Sequence, residues 1–177
     1  MATNEAGNTQ EIKTKDISLI VSNFQNMPAE SNYYSEFLKE IIGKTQINKW
    51  PKSNDKNYLI YILKEGLKPK SVDRLQAALQ LTKKDTFKFL HIANSTFKRR
   101  IDQGKLNADE SDRVYRFAHL FSMAIDMMQG NRDAAVKWFN SPKAILNDES
   151  PLEHATSELG AREVEQLIGR IRHGVYS

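Results

Sequence analysis

The sequence predicts an all-α protein with a helix-turn-helix in its middle third, and three observations carry that expectation. Apolar residues recur at helical spacing over most of the chain after about residue 30. Capping residues stand in front of these stretches, and glycine or proline stands behind them. No strand-period alternation of any length occurs. With 177 residues, 40% of them apolar, the chain can bury a core as one domain or as two small units sharing one, without metal or disulfide support.

Residues 1–30 are rich in Asn, Thr, Glu and Lys around one short apolar run, Ile17 to Val21, a composition that suits a mostly flexible arm. From Tyr33, the residues Tyr34, Phe37, Leu38, Ile41 and Ile42 form one apolar stripe on a helix ending at Gly43. Residues 44–56 are polar, include Pro51 and read as a loop. A second helix runs from Tyr58 to Glu65, with Gly66 as its stop. A third follows from Ser71, with Val72, Leu75, Ala78 and Leu79 turned inward. Thr82 caps a short helix over 83–90; after a turn at His91 to Asn94, Ser95 caps another that reaches Gln103 before Gly104. Two short helices joined this closely have helix-turn-helix geometry.

Asn107 with Glu110 three residues on forms a capping box, and Asp109, Glu110 and Asp112 place negative charge at the helix N-terminus. A long helix starts there, with Val114, Phe117, Ala118, Phe121, Ala124, Ile125 and Met128 on its apolar face, and stops at Gly130. It is the candidate central core helix. Beyond it come a helix over Asp133 to Phe139, stopped near Pro142; a short turn of helix after Ser150-Pro151; and a last helix from Arg162 to His173, stopped by Gly174.

Charge is uneven along this frame. The chain has 26 basic and 22 acidic residues. Between Lys83 and Lys105, the seven basic residues Lys83, Lys84, Lys88, Lys98, Arg99, Arg100 and Lys105 face only Asp85 and Asp102. On the second helix of the pair, Phe97 and Ile101 lie i, i+4 and are expected to face the core. That leaves Ser95, Thr96, Lys98, Arg99 and Arg100 to meet base edges of double-stranded DNA in the major groove, with Lys83, Lys84 and Lys88 on the phosphates. The competing reading is a helical hairpin used for self-association, its charges merely solvated. Two residues favour that rival: Phe87 stands where such pairs usually carry a small alanine, which predicts a wider crossing, and His91 stands at the turn position that usually needs glycine for a positive φ.

Other chemistry finds little support. Ile42-Gly43-Lys44-Thr45 imitates the end of a phosphate-binding loop, but Leu38 occupies the place of its leading glycine. The absence of cysteine excludes thiolate zinc sites and cysteine nucleophiles. His91, His119, His154 and His173 lie on different elements without metal-site spacing and read as surface or packing residues. No serine lies in a Gly-x-Ser-x-Gly turn. The expectation is therefore a non-enzymatic protein with no catalytic residues, no metal and no cofactor. Without an apolar run long enough for a membrane helix or a signal-like start, it is expected to be cytoplasmic, with no membrane partner.

From about Tyr58 to Ser177 the chain resembles the Xre/MbcA/ParS-type antitoxins of type II toxin-antitoxin systems. In the first part the resemblance rests on Gly66-Leu67, the stripe Val72, Leu75, Ala78, Leu79 and Leu81, Ser95-Thr96-Phe97-Lys98-Arg99-Arg100, and Glu110-Ser111-Asp112-Arg113. At the end it rests on Ala135, Trp138-Phe139, Pro142, Leu146, Ser150-Pro151-Leu152, Gly160-Ala161, Val164, Leu167-Ile168-Gly169-Arg170-Ile171 and Gly174-Val175-Tyr176. Asn147-Asp148 departs from the pattern where relatives tend to carry glycines.

The resemblance implies a RES-domain toxin as partner, an enzyme that destroys NAD⁺ or uses it for ADP-ribosyl transfer. It also implies that the last helix and tail lie at the mouth of that toxin's active site. Carried onto this chain, the toxin-binding residues are Arg170, Arg172, His173, Gly174, Val175 and Tyr176. A chain end bearing an arginine, an aromatic ring and a carboxylate suits a cleft built for phosphates and an adenine. The alternative has Arg172 and His173 complementing the helix dipole while Val175 and Tyr176 pack back on the core.

The resulting expectation is an N-terminal Xre-like helix-turn-helix module packed on a C-terminal helical toxin-binding module. It is divided into an arm (1–30), a helical region (31–105, helix-turn-helix 83–103) and a toxin-binding module (106–177). Such a protein is expected to be a homodimer that blocks its toxin and represses its own operon by binding operator DNA. The rival is a helix-turn-helix transcriptional repressor whose C-terminal module only dimerises.

Overall fold

The computed structural model describes residues 32–43 and 56–174. The arm with its Ile17 to Val21 run, the loop predicted over 44–56 (apart from Lys56) and the tail residues Val175 and Tyr176 lie outside the described residues. Among the described residues every regular element is helical: α1 (Asn32–Ile42), α2 (Lys56–Glu65), α3 (Lys70–Leu79), α4 (Lys83–Phe89), α5 (Asn94–Gln103), α6 (Ala108–Met127), α7 (Arg132–Asn140), a 3₁₀ turn (Ala144–Leu146), α8 (Pro151–His154) and α9 (Glu158–Arg172). The sole β feature among them is an isolated bridge between Lys143 and Glu149.

α6 is the axis. Its capping box forms as the spacing requires: Asn107 accepts from the Glu110 amide, and the Glu110 carboxylate accepts from the Asn107 amide. From Val114 to Ile125 every side chain except Arg116 is buried, because α1, α2, α3, α7 and α9 all pack against this helix. A helix apolar all round is stable only when neighbours cover every side. Phe37 of α1 meets Phe121 edge-on at 5.3 Å, and Phe121 meets Phe139 of α7 at 5.6 Å. One apolar core thus runs from Phe37 to Ile168 without a break between the two halves of the chain.

Gly66 fixes how the first half meets α6. Its φ is +100° and a Cβ there would overlap the Leu106 carbonyl oxygen, so only glycine lets the chain pass. The Leu106 amide donates to Leu67 O at 2.8 Å, and the Leu67 amide donates to Ser111 Oγ at 2.9 Å.

Three expectations about elements need correction. α5 begins at Asn94, not after a Ser95 cap: Ala93 is the capping position, makes no side-chain bond, and accepts the first helical bond from Phe97 at 2.9 Å. Ile101, expected to face the core, is 55% exposed; the inward position is Arg100. The last helix starts a turn before Arg162, because Ser157 accepts from the Gly160 amide and caps it.

Candidate functional site: a basic helix pair and a pinned C-terminal module

Thr82 caps α4 by accepting from the Asp85 amide, and its hydroxyl donates to the Asp85 carboxylate at 2.6 Å. The helix ends in a left-handed turn. His91 has φ +51°, its amide donates to Lys88 O, and the Ile92 amide reaches back to Phe87 O at 3.0 Å, so a histidine serves where glycine is usual. The imidazole stays exposed while Leu90 and Ile92 on either side are buried. Phe87, half-buried, lies 5.0 Å from the Phe97 ring, filling with aromatic contact the space an alanine would leave between α4 and α5.

The pair is then locked to α6. Arg113 donates to Leu90 O at 2.6 Å. Arg100, with 15% of its side chain exposed, donates through Nε to Glu110 at 2.7 Å and through Nη1 to Gln103. Glu110 Oε2 therefore holds both the α6 cap and α5. This charge-assisted knot engages Arg100, the one arginine of the run that sequence periodicity turned outward and the fold turns inward.

The residues left on the surface are Ser95, Lys98 and Arg99 on α5 and Lys83, Lys84 and Lys88 on α4, all exposed, with Thr96 half-buried. Lys83 and Lys88 lie over the Phe87 and Phe89 rings at 5.5 Å, which steadies their stems. Asn94, the first residue of α5, is also exposed, although the sequence pattern reads it as part of the turn. A side-chain amide at that end of a helix-turn-helix's second helix has the donor and acceptor that match an adenine edge.

The C-terminal elements form a second, differently built surface. After α7 the chain turns through Asn147 and Asp148, both at positive φ (56° and 61°), closed by a bond from the Glu149 amide to Leu146 O. These are the positions where glycines were expected, and the backbone adopts the glycine-like conformation without them. Ser150 and Glu153 make a capping box for α8, with Pro151 at its first position. The Ser150 hydrogen bonds hold the Glu153 carboxyl below its ordinary range.

α9 is pinned along α6, the two running in the same direction. Glu158 pairs with Arg116 at 3.1 Å, Glu165 approaches His119 at 3.8 Å, and Arg172 pairs with Asp126 at 2.8 Å. Gly160 lets α9 approach α8 so closely that a Cβ would overlap the His154 carbonyl oxygen. His154 is held between two carboxylates, Nδ1 on Glu149 at 2.7 Å and Nε2 on Glu163 at 2.6 Å. The Glu163 hydrogen bond, reinforced by Glu149 against some burial, raises the His154 imidazole above its usual pKa. Of the tail residues expected to meet a partner, Arg172 is committed to Asp126, Arg170 is half-buried with no acceptor for its Nε–H among the described residues, and His173 and Gly174 are exposed.

Two family models match these two surfaces in turn. One, described as the antitoxin Xre-like helix-turn-helix domain, covers residues 59–119. The other, described as the antitoxin Xre/MbcA/ParS C-terminal toxin-binding domain, covers residues 123–174. The chain is 36% identical over 121 residues to a protein named antitoxin Xre from Photorhabdus laumondii, spanning 68% of this chain and 82% of that one. It is 31% identical over 120 residues to an antitoxin Xre from Yersinia enterocolitica, spanning 67% and 81%. A third antitoxin Xre, from Pseudomonas putida, is 34% identical over 80 residues, 45% of this chain and 50% of that one.

Proposed function

The chain belongs to the Xre antitoxin family, and from that premise we propose that it neutralises a RES-domain toxin by occluding the toxin's NAD⁺ site and represses its own operon as a DNA-bound homodimer. It does so without catalysis of its own. The division of labour follows the two surfaces: residues 31–105 serve DNA and residues 106–177 serve the toxin.

The observation that carries this reading is the match of the toxin-binding domain to residues 123–174, which takes in α7, α8 and all of α9 and ends inside the suspected tail. Arg170, His173, Gly174, Val175 and Tyr176 are the proposed occluding residues. Arg172 supports them by fixing the end of α9 to Asp126. On the other side, Asn94, Ser95, Lys98 and Arg99 are the proposed base-reading residues and Lys83, Lys84 and Lys88 the phosphate contacts. Thr96, half-buried, lies at the margin of that surface, and Arg100 acts on it by holding α5 in place.

The test is co-expression with a RES-domain toxin, following growth and cellular NAD⁺. The full chain is expected to restore both. A chain ending at Arg172, which keeps α9 and its Asp126 pair, is expected to co-purify with the toxin yet fail to protect. Failure of the full chain to bind or protect contradicts the toxin assignment.

A further inference from the structure

The outer face of α9 carries Leu159, Glu163, Gln166, Arg170 and His173, spaced alternately by four and three residues and so aligned in one stripe. The opposite face, from Gly160 to Ile168, is buried. Leu159 is 69% exposed, more than any other large apolar side chain among the described residues. One turn on, Glu163 is not a free surface carboxylate: His154 ties it to Glu149, and the two acids keep 50% and 54% of their side chains exposed. An uncovered leucine beside two oriented carboxylates has the composition of an interface anchor with its polar rim.

We propose that this stripe is a second, gripping contact with the toxin, in which Leu159 fills an apolar pocket and Glu163 and Glu149 face cationic groups at the pocket's edge. The inference rests on the toxin-binding reading above and deepens it: α9 grips while the tail occludes. The stripe lies inside the matched toxin-binding segment and runs straight into Arg170 and His173.

The test measures binding of the full chain to a purified, catalytically inactive RES-domain toxin by titration calorimetry, with thermal melting as a check on folding. Leu159→Asp is the informative variant, because an acid in the first turn of a helix suits its dipole and leaves the fold intact. Its dissociation constant is expected to rise at least about 30-fold with an unchanged melting temperature, while Leu159→Met binds like the parent. A Glu149→Gln, Glu163→Gln double variant is expected to bind more weakly and with a shallower salt dependence. If Leu159→Asp binds like the parent, the grip is overturned while the toxin reading stands. If Leu159→Asp instead converts a dimer to a monomer in sedimentation, the stripe covers a second copy of this chain and the proposal is overturned. If the parent chain itself does not bind, it is the toxin reading that fails.

Discussion

Asp112 sits in the second turn of α6 with 13% of its side chain exposed, one oxygen 3.5 Å from Arg116 and the other without a hydrogen bond among the described residues. Burial pushes its carboxyl up to about 6, with Arg116 opposing and Glu158 adding to the rise. A long, one-sided ion pair does not repay the loss of water. Because the folded carboxyl binds its proton more tightly than the unfolded one, stability falls as pH rises through the window from about 4 to about 6 and stays lower above it. The loss is roughly 2–3 kcal/mol, taking 1.36 kcal/mol per unit. Asp112→Asn is expected to be more stable than the parent at pH 7 by up to about 2 kcal/mol and equal to it near pH 3.5, as read by denaturant titration at the two pH values. A variant no more stable at pH 7 contradicts this account. His154 contributes with the same sign: its raised pKa gives stability that is present below its ordinary titration and lost as pH rises through the folded value. The His154 cluster did not stand out in the sequence, because Glu149, His154 and Glu163 come from a loop, a four-residue helix and a longer one, and share no period.

Among elements, α4, α5 and the long helix after them were legible because their signals are local. Thr82, Asn107 with Glu110, and Gly130 mark boundaries through groups within a few residues. The facing of α5 was legible in part: Phe97 is buried as its spacing requires. Its second inward residue is an arginine neutralised by an acid ten positions later, which a hydrophobic period cannot report, and Ile101 drew the apolar face one position too far round. The start of α9 was missed for a related reason: Gly160 reads as a helix breaker, whereas here it is needed for contact with α8. The corrected facing has a consequence for DNA binding. Arg100→Met, which can pack in the same inward place, is expected to leave operator affinity within about threefold, whereas Arg99→Ala is expected to weaken it by about 1–3 kcal/mol with the loss concentrated at one base position. Fluorescence anisotropy against the chain's upstream DNA and its single-base variants measures both. A greater loss for Arg100→Met than for Arg99→Ala would return Arg100 to the reading surface.

For the whole molecule, the decisive feature is that α6 belongs to both surfaces. Its first two turns hold the helix-turn-helix through Glu110 and Arg113, and Arg116, His119 and Asp126 further along hold α9. The two family matches meet within this helix, one ending at 119 and the other starting at 123. A core that runs without interruption across that junction makes one mechanical unit of the helix-turn-helix domain and the toxin-binding domain. The central claim is that the toxin-facing side silences a RES-domain enzyme directly. Its most direct measurement is NAD⁺ consumption by a purified RES-domain toxin titrated with this chain. Consumption is expected to fall in proportion to added chain and stop at a fixed stoichiometric ratio; a rate unchanged at tenfold excess of chain would contradict the account.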